Sequence, residues 1–192
     1  MKIAIISGSN RKNSQSSKIA TIISENLDKK LVPNNIIDLS RIKFPFWEDE
    51  EGGKISIHTT KFSETSKILD KSSGIVFVVP EWGGMVPPQV KNIFLLASKN
   101  ELAHKPGLII TLSASTGGAY PVAELRSFSY KNTKICWIPD HLIIRNVEKF
   151  DGYNNERISS RIDYSCMMLL EYAKALRPIR LKADFSSFKN GM

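Results

Sequence analysis

The sequence predicts an α/β protein in which helices cover both faces of a five-stranded parallel sheet. Apolar runs of strand length alternate with segments of helical periodicity along the chain, as in repeated strand-helix-strand units. The runs at residues 74–79 and 108–110 are continuously apolar, so we expect both faces of these strands to be buried. With 192 residues, 42% of them hydrophobic, the chain can form one substantial core, and we expect a single domain over residues 1–192.

Five strands are predicted from these runs, to within a few residues: 2–7, 35–39, 74–80, 107–113 and 134–139. Five strands that alternate with helices favour the order 2-1-3-4-5, which is that of the flavodoxin-like three-layer sandwich. In such a sheet the strand order reverses between the first and third strands, and ligands bind there, outside the carboxyl ends of the strands. The loops after the first, third and fourth strands should therefore meet. They cover residues 8–17, 81–88 and 114–118.

Helices are predicted at residues 16–29, 56–71, 89–99, 119–130 and 154–176. In the last of these, apolar residues recur at spacings of three and four from Ile158 to Leu176, and Pro178 is expected to end the helix. A C-terminal tail should then begin at about residue 178. The connection at residues 44–54 has an aromatic start and an acidic tip, and its aromatic residues should close an edge of the core or contact a partner subunit.

The loop between the first strand and the first helix has the composition of an anion site. Backbone N–H groups at a helix start are unpaired and lie at the positive end of the helix dipole, so they can bind an anion. The side chains that can add donors to it are one arginine and four serines: Arg11, Ser9, Ser14, Ser16 and Ser17. Taken alone, the same composition is equally typical of a turn followed by a helix cap.

The loop lacks the sequence features of three other kinds of phosphate site. No Gly-x-Gly-x-x-Gly follows the strand, which disfavours a dinucleotide pyrophosphate, and no Gly-Lys-Ser/Thr is present, which excludes a nucleoside triphosphate loop. The two cysteines, Cys136 and Cys166, are not in a Gly/Ser loop with a following arginine, so a phosphotyrosine-type phosphatase is also excluded. A terminal monophosphate held by hydroxyl groups remains.

Charge and hydropathy exclude several other classes. The net charge of +8 permits binding to nucleic acid, but the basic residues are dispersed and no nucleic-acid motif is present, so we expect no such partner. The chain has no apolar run of about eighteen residues, and the first strand reaches Ser7 and Gly8 too soon for a signal peptide, so we expect no membrane association and a cytoplasmic protein. The histidines His58, His104 and His141 lack metal spacing, and no metal site is predicted.

The three loops resemble those of the NADPH-dependent FMN reductase family, flavodoxin-like proteins that include azo dye, quinone and chromate reductases. The first loop has that family's Gly-Ser-x-Arg-x-x-Ser-x-Asn/Ser pattern. The second resembles its Pro-Glu-Tyr-Asn-Gly-Ser-x-Pro-x-x-x-Lys-Asn block, ending in Lys91-Asn92. Further matches are Lys105-Pro106, Gly117-Gly118 and Leu125-Arg126, so that the resemblance covers roughly residues 3 to 140 in the correct order.

The resemblance implies an FMN site formed by the three loops. The phosphate would be surrounded by Ser9, Arg11, Ser14, Ser16 and Ser17, the isoalloxazine would lie along Pro80, Glu81, Trp82, Gly83 and Gly84, and Ser115, Thr116, Gly117 and Gly118 would close its other edge. It also implies hydride transfer from NADPH or NADH to FMN, followed by electron transfer to a small-molecule acceptor such as a flavin, a quinone or an azo compound. The flavin would perform the chemistry, so no side chain is assigned a catalytic role.

A homodimer or homotetramer is expected from the same resemblance, with Phe46, Phe94 and Leu95 as apolar contributors. The second motif departs from the family at four positions: Trp82 stands in place of Tyr, Gly83 of Asn, Met85 of a small hydroxyl residue and Leu95 of an acid. These departures leave two alternatives open. One is a flavodoxin-like electron carrier or flavin-binding module without NAD(P)H turnover, although such carriers are usually acidic, and the other is a phosphate-binding regulatory protein without flavin.

Overall fold

The computed structural model describes residues 1–48, 57–97 and 100–185, with residues 57–60 described by their backbone alone. The strands form one all-parallel sheet of order β2-β1-β3-β4-β5, which confirms the predicted order. Their bounds are β1 Ile3–Ser7, β2 Asn34–Asp38, β3 Gly74–Pro80, β4 Pro106–Leu112 and β5 Cys136–Ile144.

Helices pack on both faces of this sheet. Their bounds in the described chain are α1 Gln15–Lys29, α2 Ile57–Lys71, α3 Pro88–Leu96, α4 Tyr120–Phe128, α5 Tyr130–Thr133 and α6 Glu156–Lys182. One core cluster joins the sheet to α1 and α6, and a second joins its other face to α2, α3 and α4. Along β1, Ile3 and Ile5 belong to the first cluster, whereas Ala4 and Ile6 belong to the second. The continuous apolar runs therefore arise from burial on both faces, and the predicted three-layer sandwich is confirmed.

Strand β5 extends five residues beyond its predicted end at Pro139. The register against β4 shifts between Gly107 and Ile109, so that Pro139 lies in an irregular stretch at the edge of the sheet. Proline has no N–H to donate and is tolerated at such edge positions. Arg126 also binds this stretch, because its guanidinium donates to the carbonyls of Ile138 and Pro139 at 2.8 and 3.0 Å. Reading Pro139 as the end of the strand was therefore wrong.

Helix α6 likewise continues past Pro178 to Lys182, so the prediction that Pro178 ends it is wrong. The proline removes one backbone hydrogen bond of the helix, but the turn that follows it is held by contacts with residues outside α6. Arg180 in that turn donates to the carbonyls of Asn100 and Ala103 and pairs with Asp70. Neither α6 nor any other helix in the described ranges is long and apolar enough to cross a membrane.

The helix predicted at residues 119–130 is divided into α4 and α5 at Ser129. The Ser129 hydroxyl donates to the carbonyl of Leu125 and accepts from the Trp137 indole N–H at 2.8 Å. Some predicted boundaries lie outside the described residues. They are the start of α2 at Ser56, the end of α3 at Lys99, residues 49–54 of the acidic connection, and residues 186–192 of the tail.

Candidate functional site

Three loops meet at the carboxyl edge of the sheet, as the strand order requires. Loop 1 (residues 8–14) follows β1, loop 2 (residues 81–87) follows β3, and loop 3 (residues 113–119) follows β4. The Gly8 N–H donates to the carbonyl of Val78 at 2.8 Å, which holds loop 1 against the end of β3. The Gly118 N–H donates to Glu81 at 2.6 Å and joins loop 3 to loop 2. These contacts place the sequence-predicted residues of all three loops in one region.

Loop 1 leads into the start of α1 with several donors unused. The Ser14 hydroxyl oxygen caps the helix by accepting from the Ser17 N–H at 3.1 Å, and that of Ser9 accepts from the Arg11 N–H at 3.2 Å. Each of these two hydroxyls keeps its own proton for a further acceptor. Among the described residues, the buried hydroxyls of Ser7 and Ser16 have no hydrogen-bond partner. A helix start with spare donors and an orphan hydroxyl fits an anion such as a phosphate.

Ser17 is directed elsewhere, because its hydroxyl donates to the carboxylate of Asp38 at the end of β2. The Ser40 N–H donates to the other carboxylate oxygen, Oδ1, at 3.0 Å. The Arg41 Nε lies 3.7 Å from Oδ2, the oxygen that accepts from Ser17. Burial of Asp38 favours its neutral form, but the hydrogen bonds from Ser17 and Ser40 and the charge of Arg41 outweigh burial and lower its pKa. Asp38 was not among the residues predicted from the sequence. Its only local signal is an acid at the end of a strand whose last two residues are buried.

We expect Asp38→Ala to lower the free energy of unfolding at neutral pH by about 1–2 kcal/mol, because two donors lose their acceptor. Since the pKa of Asp38 is lower in the folded protein, its stabilisation is complete above about pH 4 and is lost as the pH falls through the folded pKa. Urea unfolding should therefore show a difference from wild type that shrinks in acid. The exposed Glu64→Ala variant should change stability by less than about 0.5 kcal/mol. A difference for Asp38→Ala that stays constant into acid would contradict this assignment.

Arg11 links loop 1 to loop 2. Its guanidinium carbon lies 4.9 Å from the centroid of the Trp82 ring, in a cation–π contact. Arg11 is exposed, and stacking on Trp82 restricts a side chain that would otherwise sample many rotamers. The contact thus holds the cationic group of loop 1 against loop 2.

Loop 2 contains a tight turn whose two central residues are glycines. Trp82 and Met85 exchange backbone hydrogen bonds of 3.1 and 3.0 Å. Between them Gly83 has φ +56° and Gly84 has φ +77°, which is the pattern of a type I′ turn. Neither glycine N–H takes part in the two bonds that close the turn, so both are left for a bound molecule. The turn therefore presents backbone donors with no side chain in front of them.

Glu81 connects loop 2 to loop 3, because the backbone of Gly117 and Gly118 passes close to its carboxylate. One of its carboxylate oxygens accepts from Gly118, and a Cβ added at Gly117 would lie only 2.7 Å from the other. From the opposite side, Arg145 at the end of β5 donates to the carbonyls of Thr116 and Gly117 at 2.6 and 3.1 Å. Arg145 was not predicted from the sequence, because β5 was expected to end at Pro139 and not at Ile144, the residue before Arg145. Loop 3 is thus held between a carboxylate and a guanidinium.

We expect Glu81→Ala to lower the free energy of unfolding by about 1–3 kcal/mol, because the Gly118 N–H loses a charged acceptor in a part-buried position. Glu81→Gln should recover most of this loss, since its amide oxygen can still accept from Gly118. Thermal unfolding of the two variants measures the difference, and amide exchange at Gly118 shows whether loop 3 is released. Equal stability of Glu81→Ala and wild type would show that this bond does not fix the loops.

The Lys91-Asn92 pair of the second motif supports the site from α3. Lys91 pairs with Glu124 at 2.5 Å, and Glu124 in turn accepts from the Val86 N–H at 2.6 Å. The buried Asn92 amide donates to the carbonyl of Pro45 at 2.9 Å and accepts from the Trp47 N–H at 2.8 Å. These residues hold loop 2 and the connection after β2 in place.

The structure thus brings Arg11 into contact with Trp82 and Glu81 into contact with Gly118, and these two pairs join the three loops. Ser115 and Thr116 are exposed at the outer end of loop 3, and Pro80 ends β3. Contact between any of these residues and a cofactor stays a prediction.

Comparison with known proteins places this arrangement among flavin-dependent enzymes. A family model described as NADPH-dependent FMN reductase matches residues 1–149. The flavoenzyme NAD(P)H:(acceptor) oxidoreductase FerB of Paracoccus denitrificans superposes with a TM-score of 0.75 at 17% identity, covering 91% of this chain and 97% of that one. An oxidoreductase of Corynebacterium diphtheriae superposes with a TM-score of 0.68 at 20% identity, covering 91% of this chain and 97% of that one. The NAD(P)H:quinone oxidoreductase of Methanothermobacter marburgensis superposes with a TM-score of 0.60 at 13% identity, covering 92% of this chain and 98% of that one. At these identities the structures show a shared fold. No curated protein matches the sequence significantly.

Proposed function

This protein belongs to the NADPH-dependent FMN reductase family, and we propose that it transfers hydride from NAD(P)H to FMN held between loops 1, 2 and 3. It is an oxidoreductase that uses FMN with NAD(P)H as reductant. The observation that carries the proposed site is the meeting of the three loops through Glu81, Gly118, Arg11 and Trp82. When bound there, the flavin supplies the redox chemistry by accepting hydride and passing electrons to a second substrate.

The start of α1 is the proposed phosphate site. The free hydroxyl protons of Ser9 and Ser14, the orphan hydroxyl of Ser16 and the first N–H groups of α1 supply neutral donors. Arg11, already positioned by Trp82, supplies the charged donor. Ser17 is given an indirect role, since its hydroxyl donates to Asp38 and its N–H caps onto Ser14. It would fix the direction of the helix start rather than contact the phosphate.

Loops 2 and 3 are the proposed walls of the isoalloxazine site. The N–H groups of Gly83 and Gly84 would donate to polar atoms along one edge of the ring, and loop 3 would close the other edge. Glu81 and Arg145 would act as positioning residues that fix loop 3 against loop 2. Every proton and electron step belongs to the flavin and its substrates, so no side chain is needed as a general base.

The acceptor is proposed to be a small, largely apolar molecule such as a quinone, a flavin or an azo compound. Met85 and Tyr120 are 54% and 70% exposed beside the glycine turn and would form an apolar rim for it. A homodimer or homotetramer is also proposed, since Leu95 and Phe46 are 54% and 61% exposed. Phe94, the third predicted contributor, is buried and stacks on Phe77 in the core, so its prediction as an interface residue is wrong. A cytoplasmic location is part of the same proposal. Sedimentation of the purified protein measures the assembly.

Two measurements on the purified protein test this proposal. Chromatography of the released cofactor should identify FMN and not FAD, because loop 1 lacks the glycine pattern that accommodates a pyrophosphate. After anaerobic reduction, at least one acceptor from a panel of quinones, flavins and azo dyes should reoxidise the protein without oxygen. Release of FAD, or failure to bind flavin after incubation with excess FMN, would contradict the proposed site.

A further inference from the structure

A second concave region lies at the amino ends of the strands, at the edge of the sheet opposite loops 1 to 3. It is a cavity of about 430 Å³ between the end of α2, the residues before β3 and β4, and the last turns of α6. That volume is within the range of small-molecule sites. Its charged lining consists of Lys71, Lys105, Arg177 and Arg180 against one carboxylate, that of Asp70. Basic side chains therefore outnumber acidic ones in the lining.

Two of these cations are bound to protein groups and form fixed walls. The buried Lys105 ammonium donates to the carbonyls of Leu69 and Asp70 at 2.6 and 2.7 Å, at the end of α2. Arg180 donates to the backbone before β4 and to the Asp70 carboxylate at 3.2 Å. Both side chains cross-link elements of the fold, so they shape the cavity and are not free to follow a ligand.

The other two cations, Lys71 and Arg177, are exposed, and neither has a side-chain hydrogen bond or ion pair within the described ranges. Arg177 lies one helical turn before Arg180 and on the same face of α6. Two groups of this lining are consequently free to bind an anion from solution.

Burial is the main cause of the pKa shifts around the cavity, and neighbouring cations add to it. Burial lowers the pKa of His104, and the charges of Lys134 and Arg180 lower it further. Burial lowers the pKa of Lys105 to about 7, with Arg180 acting in the same direction and Asp70 and Glu101 opposing it. An anion in the cavity would offset the repulsion that these groups experience.

One wall of the cavity is apolar. The Phe185 ring centroid lies 5.5 Å from the Arg180 guanidinium carbon and 6.0 Å from the centre of the His104 ring. Leu181, which is 76% exposed, and the small side chains of Ala173 and Ala183 continue this wall. An inorganic ion alone would leave this wall uncovered, whereas a ligand with an anionic end and an apolar body would contact both parts.

We propose that this cavity binds a small organic anion whose phosphate or carboxylate contacts Lys71 and Arg177 and whose apolar body packs against Leu181 and Phe185. The site is separate from the flavin crevice, because it lies at the other edge of the sheet. The inference does not depend on the proposed function of loops 1 to 3.

Calorimetric titration of the FMN-loaded protein tests the proposal with three probes: phenyl phosphate, benzoate and inorganic phosphate. Loading with FMN keeps the probes out of loop 1. We expect saturable binding of phenyl phosphate or benzoate, and the tighter of the two identifies the anionic group. Inorganic phosphate should bind at least about ten-fold more weakly, because it lacks an apolar body. No saturation by either organic probe below about 10 mM, or equal affinity for inorganic phosphate, would overturn the proposal.

Variants of the two free cations locate the binding. Arg177→Gln and Lys71→Gln should each weaken the better probe by about ten-fold. The matched control is Arg157→Gln, an exposed arginine at the other end of α6, about 30 Å away along the helix. It should leave the affinity unchanged. Unchanged affinity in both cavity variants, or an equal loss in the control, would place the probe elsewhere and overturn the assignment.

Discussion

Replacing Arg11 by Ala should weaken FMN binding by about ten- to a hundred-fold. A charged hydrogen bond to the phosphate contributes on the order of 1.5–3 kcal/mol, and each 1.4 kcal/mol corresponds to about a factor of ten in affinity. The effect should be this large because stacking on Trp82 already restricts the guanidinium, so little rotamer entropy remains to be lost on binding. Quenching of flavin fluorescence during titration measures the affinity.

Lys12→Ala provides the matched control for Arg11. Lys12 is the next residue in loop 1, is also exposed and also carries one positive charge. If the contribution were only the net charge of the loop, both variants would lose affinity equally. We expect the Lys12 variant to bind FMN within about a factor of two of wild type. Equal losses in the two variants would show that Arg11 does not contact the phosphate.

Replacing Gly84 by Val should remove most NADPH-dependent flavin reduction. Gly84 has φ +77°, which a β-branched residue adopts only with strain, and the added side chain would stand at the proposed flavin edge. Hydride transfer needs the reacting atoms within roughly 3–3.5 Å, so a tilted ring loses activity even where it still binds. The change lies in a loop outside the core strands, and we expect the apo protein to remain folded. Anaerobic stopped-flow absorbance measures the reduction rate.

Gly83→Asn is the control for this loop. Gly83 has φ +56°, which Asn tolerates far better than a branched residue, and the nearest atom to its added Cβ is the Met85 methyl carbon at 3.9 Å. The variant should therefore keep the turn, FMN affinity and activity. Full activity and full FMN affinity in Gly84→Val would show that the turn does not cradle the isoalloxazine.

The parts of the fold that local patterns determine were accessible from the sequence. Continuous apolar runs identified the central strands, and the alternation with helices gave the sheet order, which in turn brought loops 1, 2 and 3 together. Two of the errors arose at prolines. Pro139 lies where the register of β5 against β4 shifts, and Pro178 lies within α6, whose last turns are held by contacts of Arg180 with residues outside the helix. The residues next to each proline in the sequence do not indicate either feature.

The residues that tie the site together were harder to predict, because they lie far apart along the chain. Ser17 and Asp38 are 21 residues apart, and Arg145 reaches Thr116 across 29. Glu81 and Gly118 were both predicted through motifs, whereas the hydrogen bond between them could be found only once β3 and β4 were adjacent. Motifs thus predicted the loops of the proposed site, and three-dimensional contacts were needed to show what holds these loops together.

Anaerobic titration of the FMN-loaded protein with NADPH, and separately with NADH, tests the central claim most directly. The account predicts that the absorbance of oxidised flavin disappears with one equivalent of nicotinamide nucleotide per bound FMN, because a hydride delivers both electrons. A protein that binds FMN but is reduced by neither nucleotide would be a carrier or a binding module, and that result would contradict the account.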